Sequence, residues 1–212
     1  MNRIGATSAT LNESTCTISV VPTLAPSMIA SAGTRLTRPS AAKELVIRAV
    51  AGADWIINMW GFGTLTPFAG WTATGLPVDM ARALVLLAFC PLFAALYPLT
   101  QLYQLEEDTR RGDRTLACVL GARRSLNAAL ATAVLAFGLF AAAGLRAGWR
   151  AGGTDLMRWG GLVVALLVWA WVLVPWRRGH ARWAPADHQR GMYRALAAWA
   201  VTDLVVVLAW GT

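Results

Sequence analysis

The chain has 212 residues, of which 57% are hydrophobic and only 14% are charged. A soluble domain carries roughly 25% charged residues, so this composition excludes an ordinary soluble protein and indicates a membrane protein. The net charge of +8 would suit a nucleic-acid partner, but the basic residues lie between apolar runs and no nucleic-acid-binding motif accompanies them. We therefore expect no nucleic acid among the partners.

The N-terminal segment, residues 1–44, differs in composition from everything after it. Its first 40 residues are rich in Ser, Thr and Ala and show neither helical nor strand periodicity. Basic Arg3 is followed by polar residues and no clean apolar core, so a secretory signal peptide is a poor fit. We expect residues 1–44 to be disordered or a mis-assigned start, and residues 45–212 to form the membrane domain.

Five apolar segments within that domain predict an all-α fold. Each is near the roughly 20 residues that cross the hydrocarbon core of a bilayer. Because backbone groups in lipid must be paired internally, each segment should be a helix. The sequence thus predicts a polytopic transmembrane bundle of about five spans, at about 46–66, 83–105, 125–145, 159–176 and 193–210.

Two of these spans contain acidic residues. Asp54 and Asn58 lie one helical turn apart in the first span, and Asp203 lies deep in the last. Intramembrane acids are functional hypotheses by default. Asp54 and Asn58 could line the polar mouth of a cavity, or Asp54 could lie near the cytoplasmic interface. Asp203 is expected to line a cavity or to bond a neighbouring helix.

The basic residues predict how the protein is oriented in the membrane. With five spans, fifteen of the 19 Lys and Arg residues fall on one side, together with the N-terminus and the loops 104–124 and 177–192. The positive-inside rule then places that side in the cytoplasm and the C-terminus on the opposite side. His180 and His188 lie in the second of these loops without a matching ligand set, and we expect both to be solvated.

Acidic and basic residues meet in the segment Gln104–Gly121, where the second span ends. On a helix continuing from that span, Gln104, Glu107 and Asp108 share one face, and oxygen ligands at this spacing suit Mg²⁺. Three arginines follow that could hold a diphosphate by forked hydrogen bonds: Arg110, Arg111 and Arg114. A solvated loop of mixed charge, with arginines explained by topology, is the alternative interpretation.

This segment resembles the second aspartate-rich motif of the UbiA superfamily of intramembrane prenyltransferases. The family pattern is DxxxD, then Gly, Thr-Leu and a later Leu-Gly; the residues in register here are Asp108, Gly112, Thr115, Leu116, Leu120 and Gly121. The upstream stretch GADWIINMWGFGTLTPFAGW is similar to the helix preceding that motif. The likeness covers about residues 45–212, with Gln104 in place of the leading aspartate and no counterpart of the family's first aspartate-rich motif.

The resemblance implies a fold like the C-terminal five helices of the nine-helix UbiA bundle. It also implies Mg²⁺-dependent transfer of an isoprenoid chain from a prenyl diphosphate to a lipophilic or aromatic acceptor. Asp108 and Glu107 would be catalytic, and Gln104 would face the metal with them. Tyr103 would join the three arginines near the diphosphate.

Three alternatives remain for the function. The chain could be a truncated form of such an enzyme. It could instead be a non-catalytic membrane protein that binds isoprenoid lipid, a partner subunit or a second copy of itself. A small transporter is the third, supported only by Asp54 and Asp203.

Overall fold

The computed structural model of this protein describes the backbone of residues 41–211, and the side chains from Val46 onward except those of Arg48 and Ala49. The prediction for residues 1–44 therefore lies outside the described residues, except that residues 41–44 form the first turn of a helix. The described part of the chain consists of helices joined by turns and short loops and contains no strand, as the apolar segments predicted.

The helices follow one another with short connections. The first helical run comprises α1 (Ala41–Asn58), a π-helical stretch (Met59–Leu65) and α2 (Thr66–Thr72). The next comprises α3 (Met80–Gln101), a 3₁₀ turn (Leu102–Gln104) and α4 (Leu105–Arg111). After them come α5 (Leu116–Leu120), α6 (Ala122–Arg146), α7 (Gly153–Gly179), a 3₁₀ turn (His180–Arg182) and α8 (Pro185–Trp210).

Four helical runs within the described residues are long and apolar enough to cross a membrane: Met80–Arg111, Ala122–Arg146, Gly153–Arg182 and Pro185–Trp210. They contain four of the five predicted spans. Large apolar side chains such as Val134, Leu167 and Leu208 are exposed on their outer faces, as lipid-facing residues would be. The predicted first span, 46–66, is helical but is not among the four. Its polar residues Asp54 and Asn58 lower its apolarity.

The long helices alternate in direction, so the bundle has two polar ends. The α5 end comprises residues 101–124 and 177–190, and Gln101 joins it to α3 by accepting a hydrogen bond from the Ala117 amide at 3.0 Å. The Trp210 end comprises residues 72–82, 146–158 and 209–211, where the rings of Trp149 and Trp210 lie 4.4 Å apart. At this end the guanidinium of Arg82 also lies over the ring of Trp71.

The first helical run lies along α3, and one proline determines how it docks there. Pro98 has no N–H to donate to the carbonyl of Ala94, four residues earlier in α3. The indole N–H of Trp55 donates to that carbonyl at 3.1 Å. Further along, Gly63 brings the π-helical stretch against the backbone of α3, because a Cβ there would lie 2.7 Å from the Phe89 carbonyl oxygen.

The core between α7 and α8 contains two buried tryptophan hydrogen bonds. The Trp169 indole donates to the Thr202 hydroxyl at 3.1 Å, and the Trp176 indole donates to Nδ1 of His188 at 2.8 Å. The prediction of a solvated loop at 177–192 is therefore wrong for His188, which is buried on α8. Arginines mark this end of the bundle, but they do not end the helices, which continue to Arg182 and resume at Pro185.

Candidate functional site

The segment predicted to carry chemistry, Gln104–Gly121, is mostly helical. Leu102–Gln104 forms a 3₁₀ turn between α3 and α4, and α4 begins at Leu105 as a separate α-helix. Gly112 ends α4 with φ 82°, a left-handed conformation that glycine adopts without the strain of a Cβ. The amide of Asp113 then donates to the Asp108 carbonyl at 2.8 Å, closing the turn. A tight, capped corner therefore joins α4 to α5.

Asp108 lies on the inner side of this corner. It is only 7% exposed, and the hydroxyl of Thr115 lies 3.4 Å from its carboxylate as a weak donor. Thr115 also caps α5 by accepting a hydrogen bond from the Cys118 amide. The two motif residues are thus adjacent in space, and Asp108 has a direct structural role in holding the corner.

The other two candidate metal ligands have different partners. Glu107 is exposed and forms an ion pair with Arg111. Gln104 is exposed and donates from its amide to the Tyr103 hydroxyl at 2.8 Å. Within residues 46–211, no three His, Cys, Asp or Glu side chains gather closely enough to hold a metal ion together. The candidate ligands therefore do not fit a preassembled Mg²⁺ site, although Gln104 retains a free carbonyl oxygen.

A cavity of about 320 Å³ opens beside the α4–α5 corner. Arg114 and Asp113 supply charged groups to its wall, and Ile47 of α1 and Val119 of α5 supply apolar ones. Of the three predicted diphosphate-binding arginines, the structure brings only Arg114 to this cavity. Arg110 and Arg111 are exposed elsewhere on α4, and Tyr103 packs half-buried against the core.

A second polar cluster joins α1 to α3. Asn58 donates from its amide to the Asp54 carboxylate at 3.0 Å, and the Tyr97 hydroxyl donates to the other carboxylate oxygen. The spacing of Asp54 and Asn58, one helical turn apart, allows this contact. Tyr97 on α3 thus gives this carboxylate a second hydrogen-bond donor, from a different helix. The cluster fixes the position of α1 beside α3.

No family model, curated protein or solved structure matches this chain. Sequence reasoning missed Asp113 as a cavity residue and Gln101 as the anchor of α5. One feature of the sequence could have identified Gln101, since it is a polar residue near the end of an apolar helix. Asp113 had none beyond its charge, because its place depends on the left-handed turn at Gly112.

Proposed function

We propose that this chain is an integral membrane protein of UbiA type that binds a prenyl diphosphate at the α5 end and transfers its isoprenoid chain to a lipophilic or aromatic acceptor. The observation that carries the proposal is the cavity beside the α4–α5 corner. Arg114 offers a forked donor for a diphosphate, and Ile47 and Val119 offer an apolar surface for the adjoining chain. The motif residues Asp108 and Thr115 support the corner from inside.

The proposal includes five spans with the α5 end and the N-terminus in the cytoplasm and the C-terminus on the opposite side. The uneven distribution of Lys and Arg supports this orientation. The run Ala41–Thr72 contains the predicted first span and would be the fifth in the count. Its length supports this, since Ile47 lies at the α5 end and Trp71 at the Trp210 end. It therefore extends along the same length as α3.

The resemblance alone brings Mg²⁺ into this proposal. Asp108 and Glu107 are the carboxylates proposed to act with it, and Gln104 contributes a neutral oxygen. Glu107 would have to leave Arg111 to do so. If they act together, replacing Asp108 with alanine should abolish any Mg²⁺ dependence of prenyl diphosphate binding.

The test of binding uses the purified full-length protein in detergent and farnesyl diphosphate, titrated with and without Mg²⁺. Arg114→Gln should weaken binding about tenfold, the typical effect of losing one charge-assisted hydrogen bond. Arg110→Gln is the matched control, because Arg110 is exposed on α4 and does not line the cavity. Equal effects of the two substitutions would remove the diphosphate from this cavity.

A non-catalytic protein that binds isoprenoid lipid is the second candidate. The separate partners of Gln104, Glu107 and Asp108 favour it, since turnover in the resembling family uses a shared metal. Release of diphosphate in the presence of an aromatic acceptor distinguishes the two. Binding that depends on Arg114 without any release would support the non-catalytic function, and release that Arg114→Gln abolishes would support the transferase.

A further inference from the structure

A second and larger cavity, of about 530 Å³, lies at the Trp210 end of the bundle. Four helix ends meet there: the starts of α3 and α7 and the ends of α6 and α8. Three arginines line it, Arg82, Arg146 and Arg158, and the rings of Trp149 and Trp210 contribute to its wall. Only four of the 19 Lys and Arg residues lie at this end under the five-span topology, so three of those four converge on one cavity.

Neighbouring side chains hold two of these arginines in place. Arg82 pairs with Asp79, which also lines the cavity, and its guanidinium lies 5.3 Å from the centre of the Trp71 ring. Arg158 pairs with Asp155 at 3.0 Å and lies over the ring of Trp149.

Arg146 differs from these two arginines, because no residue of the described chain forms an ion pair with it. The three arginines and two aspartates leave one net positive charge at the cavity. An anion of single charge would balance it.

Two residues that line this cavity supply buried N–H donors that have no hydrogen-bond partner within the described chain. They are the indole Nε1 of Trp210, whose side chain is only 9% exposed, and Nε of Arg82. Buried donors almost always have a hydrogen-bond partner. Two such donors without one, beside a basic cavity, therefore indicate an acceptor that the protein itself does not supply. Negatively charged oxygens are the acceptors that match both the donors and the net charge.

Apolar grooves extend from both sides of this cavity. One, of about 140 Å³, shares Arg82 and Trp210 with it and continues between α3 and α8 over Val85, Leu86 and Val206. The other, of about 360 Å³, shares Arg158 and Ala209 with it and continues between α7 and α8 over Met157, Val205 and Leu208. A basic pocket with two apolar grooves matches an anionic head that carries two hydrocarbon chains.

We propose that the Trp210 end binds one anionic phospholipid in a defined site. The phosphate occupies the cavity, where Arg146 supplies the unpaired charge and Trp210 and Arg82 supply the unpaired donors. The two acyl chains lie in the flanking grooves. This site is separate from the α5 end and does not depend on the prenyl diphosphate proposal.

The test measures lipid binding to the full-length protein in detergent by native mass spectrometry. The probes are dioleoylphosphatidylglycerol, dioleoylglycerol, which lacks the phosphate, and glycerophosphoglycerol, which has the same singly charged phosphodiester but lacks the chains. Arg146→Gln should weaken phosphatidylglycerol binding about tenfold, and Trp210→Phe, which removes only the indole donor, about threefold to tenfold. Arg150→Gln is the matched control, because Arg150 lies at the same end, is exposed and does not line the cavity.

Three results would overturn the proposal. An equal loss of binding in Arg150→Gln and Arg146→Gln would show general attraction to surface charge. Dioleoylglycerol binding as tightly as the phospholipid would show that the phosphate is not recognised. Glycerophosphoglycerol competing at the affinity of the whole lipid would show that the grooves do not hold the chains. The thermal midpoint of each variant checks folding, and Trp210→Phe decides the matter if Arg146→Gln does not fold.

Discussion

Replacing Gly63 with alanine should loosen the first helical run from α3. The added Cβ would lie 2.7 Å from the Phe89 carbonyl oxygen and 2.8 Å from the Cα of Cys90. Both are backbone atoms of α3, which belongs to the most buried of the four long helical runs, so no flexible side chain can move aside. The run Ala41–Thr72 must therefore shift away from α3.

The size of the effect follows from two opposing terms. Overpacking a well-packed contact costs about 1–3 kcal/mol. Alanine in place of glycine within a helix contributes about 0.5–1 kcal/mol of stability. Gly61, in the same π-helical stretch, has no atom within 4 Å of an added Cβ, so Gly61→Ala should show the second term alone. The difference in the free energy of unfolding between the two variants should then be about 1–3 kcal/mol.

The assay uses the thiol of Cys90, which is 4% exposed next to Gly63. In a background with Cys16 and Cys118 changed to serine, an apolar maleimide should label Cys90 faster in Gly63→Ala than in the parent protein. Gly61→Ala should leave the labelling rate unchanged. Equal labelling rates and equal unfolding free energies in both glycine variants would refute the close backbone contact.

Two further predictions concern hydrogen bonds inside the bundle. Trp55→Phe should lower the free energy of unfolding by about 1 kcal/mol, because it leaves the Ala94 carbonyl unpaired. In a Pro98→Ala background the loss should be much smaller, since the new amide donates to that carbonyl. A double-mutant cycle of unfolding free energies that shows no coupling would contradict this. Trp176→Phe should cost about 1–3 kcal/mol because Nδ1 of His188 loses its donor in a buried position. Adding His188→Leu should then destabilise the protein by less than the sum of the two single changes, and additive losses would argue against the bond.

The length of the apolar segments predicted the four helices that are long enough to cross a membrane, because charged side chains are costly in the hydrocarbon core and a long run without them indicates burial in lipid. The ends of the helices were harder to predict. Arg177 and Arg178 marked the polar interface, yet α7 continues past them, since a helix can extend into the headgroup region without breaking. His188 was misplaced for the same reason, and its burial depends on Trp176 across the helix pair.

In the candidate sites, contacts within one helix were predictable from the sequence, whereas contacts between helices were not. The contact between Asp54 and Asn58 was predictable from their spacing, because it is local to one helix. Their bond to Tyr97 was not, since it depends on how α1 lies against α3. Likewise, the charge count placed Arg82, Arg146 and Arg158 on one side, but only the packing of four helix ends brings them to one cavity.

The π-helical stretch has a consequence for changes in chain length. The amide of Thr66 donates to the Gly61 carbonyl five residues earlier, whereas an α-helix spans four, so each such turn accommodates one extra residue. Trp55 and Gly63 both contact α3 although eight α-helical positions would leave them about 80° apart around the axis. Losing one residue between Trp55 and Gly63 would convert the stretch to an ordinary α-helix, in which the seven remaining positions bring the two residues to within about 20° of each other around the axis. In a library of single-codon deletions, variants with a deletion in this part of the chain should therefore fold, whereas variants with a deletion in α3 or α6 should not.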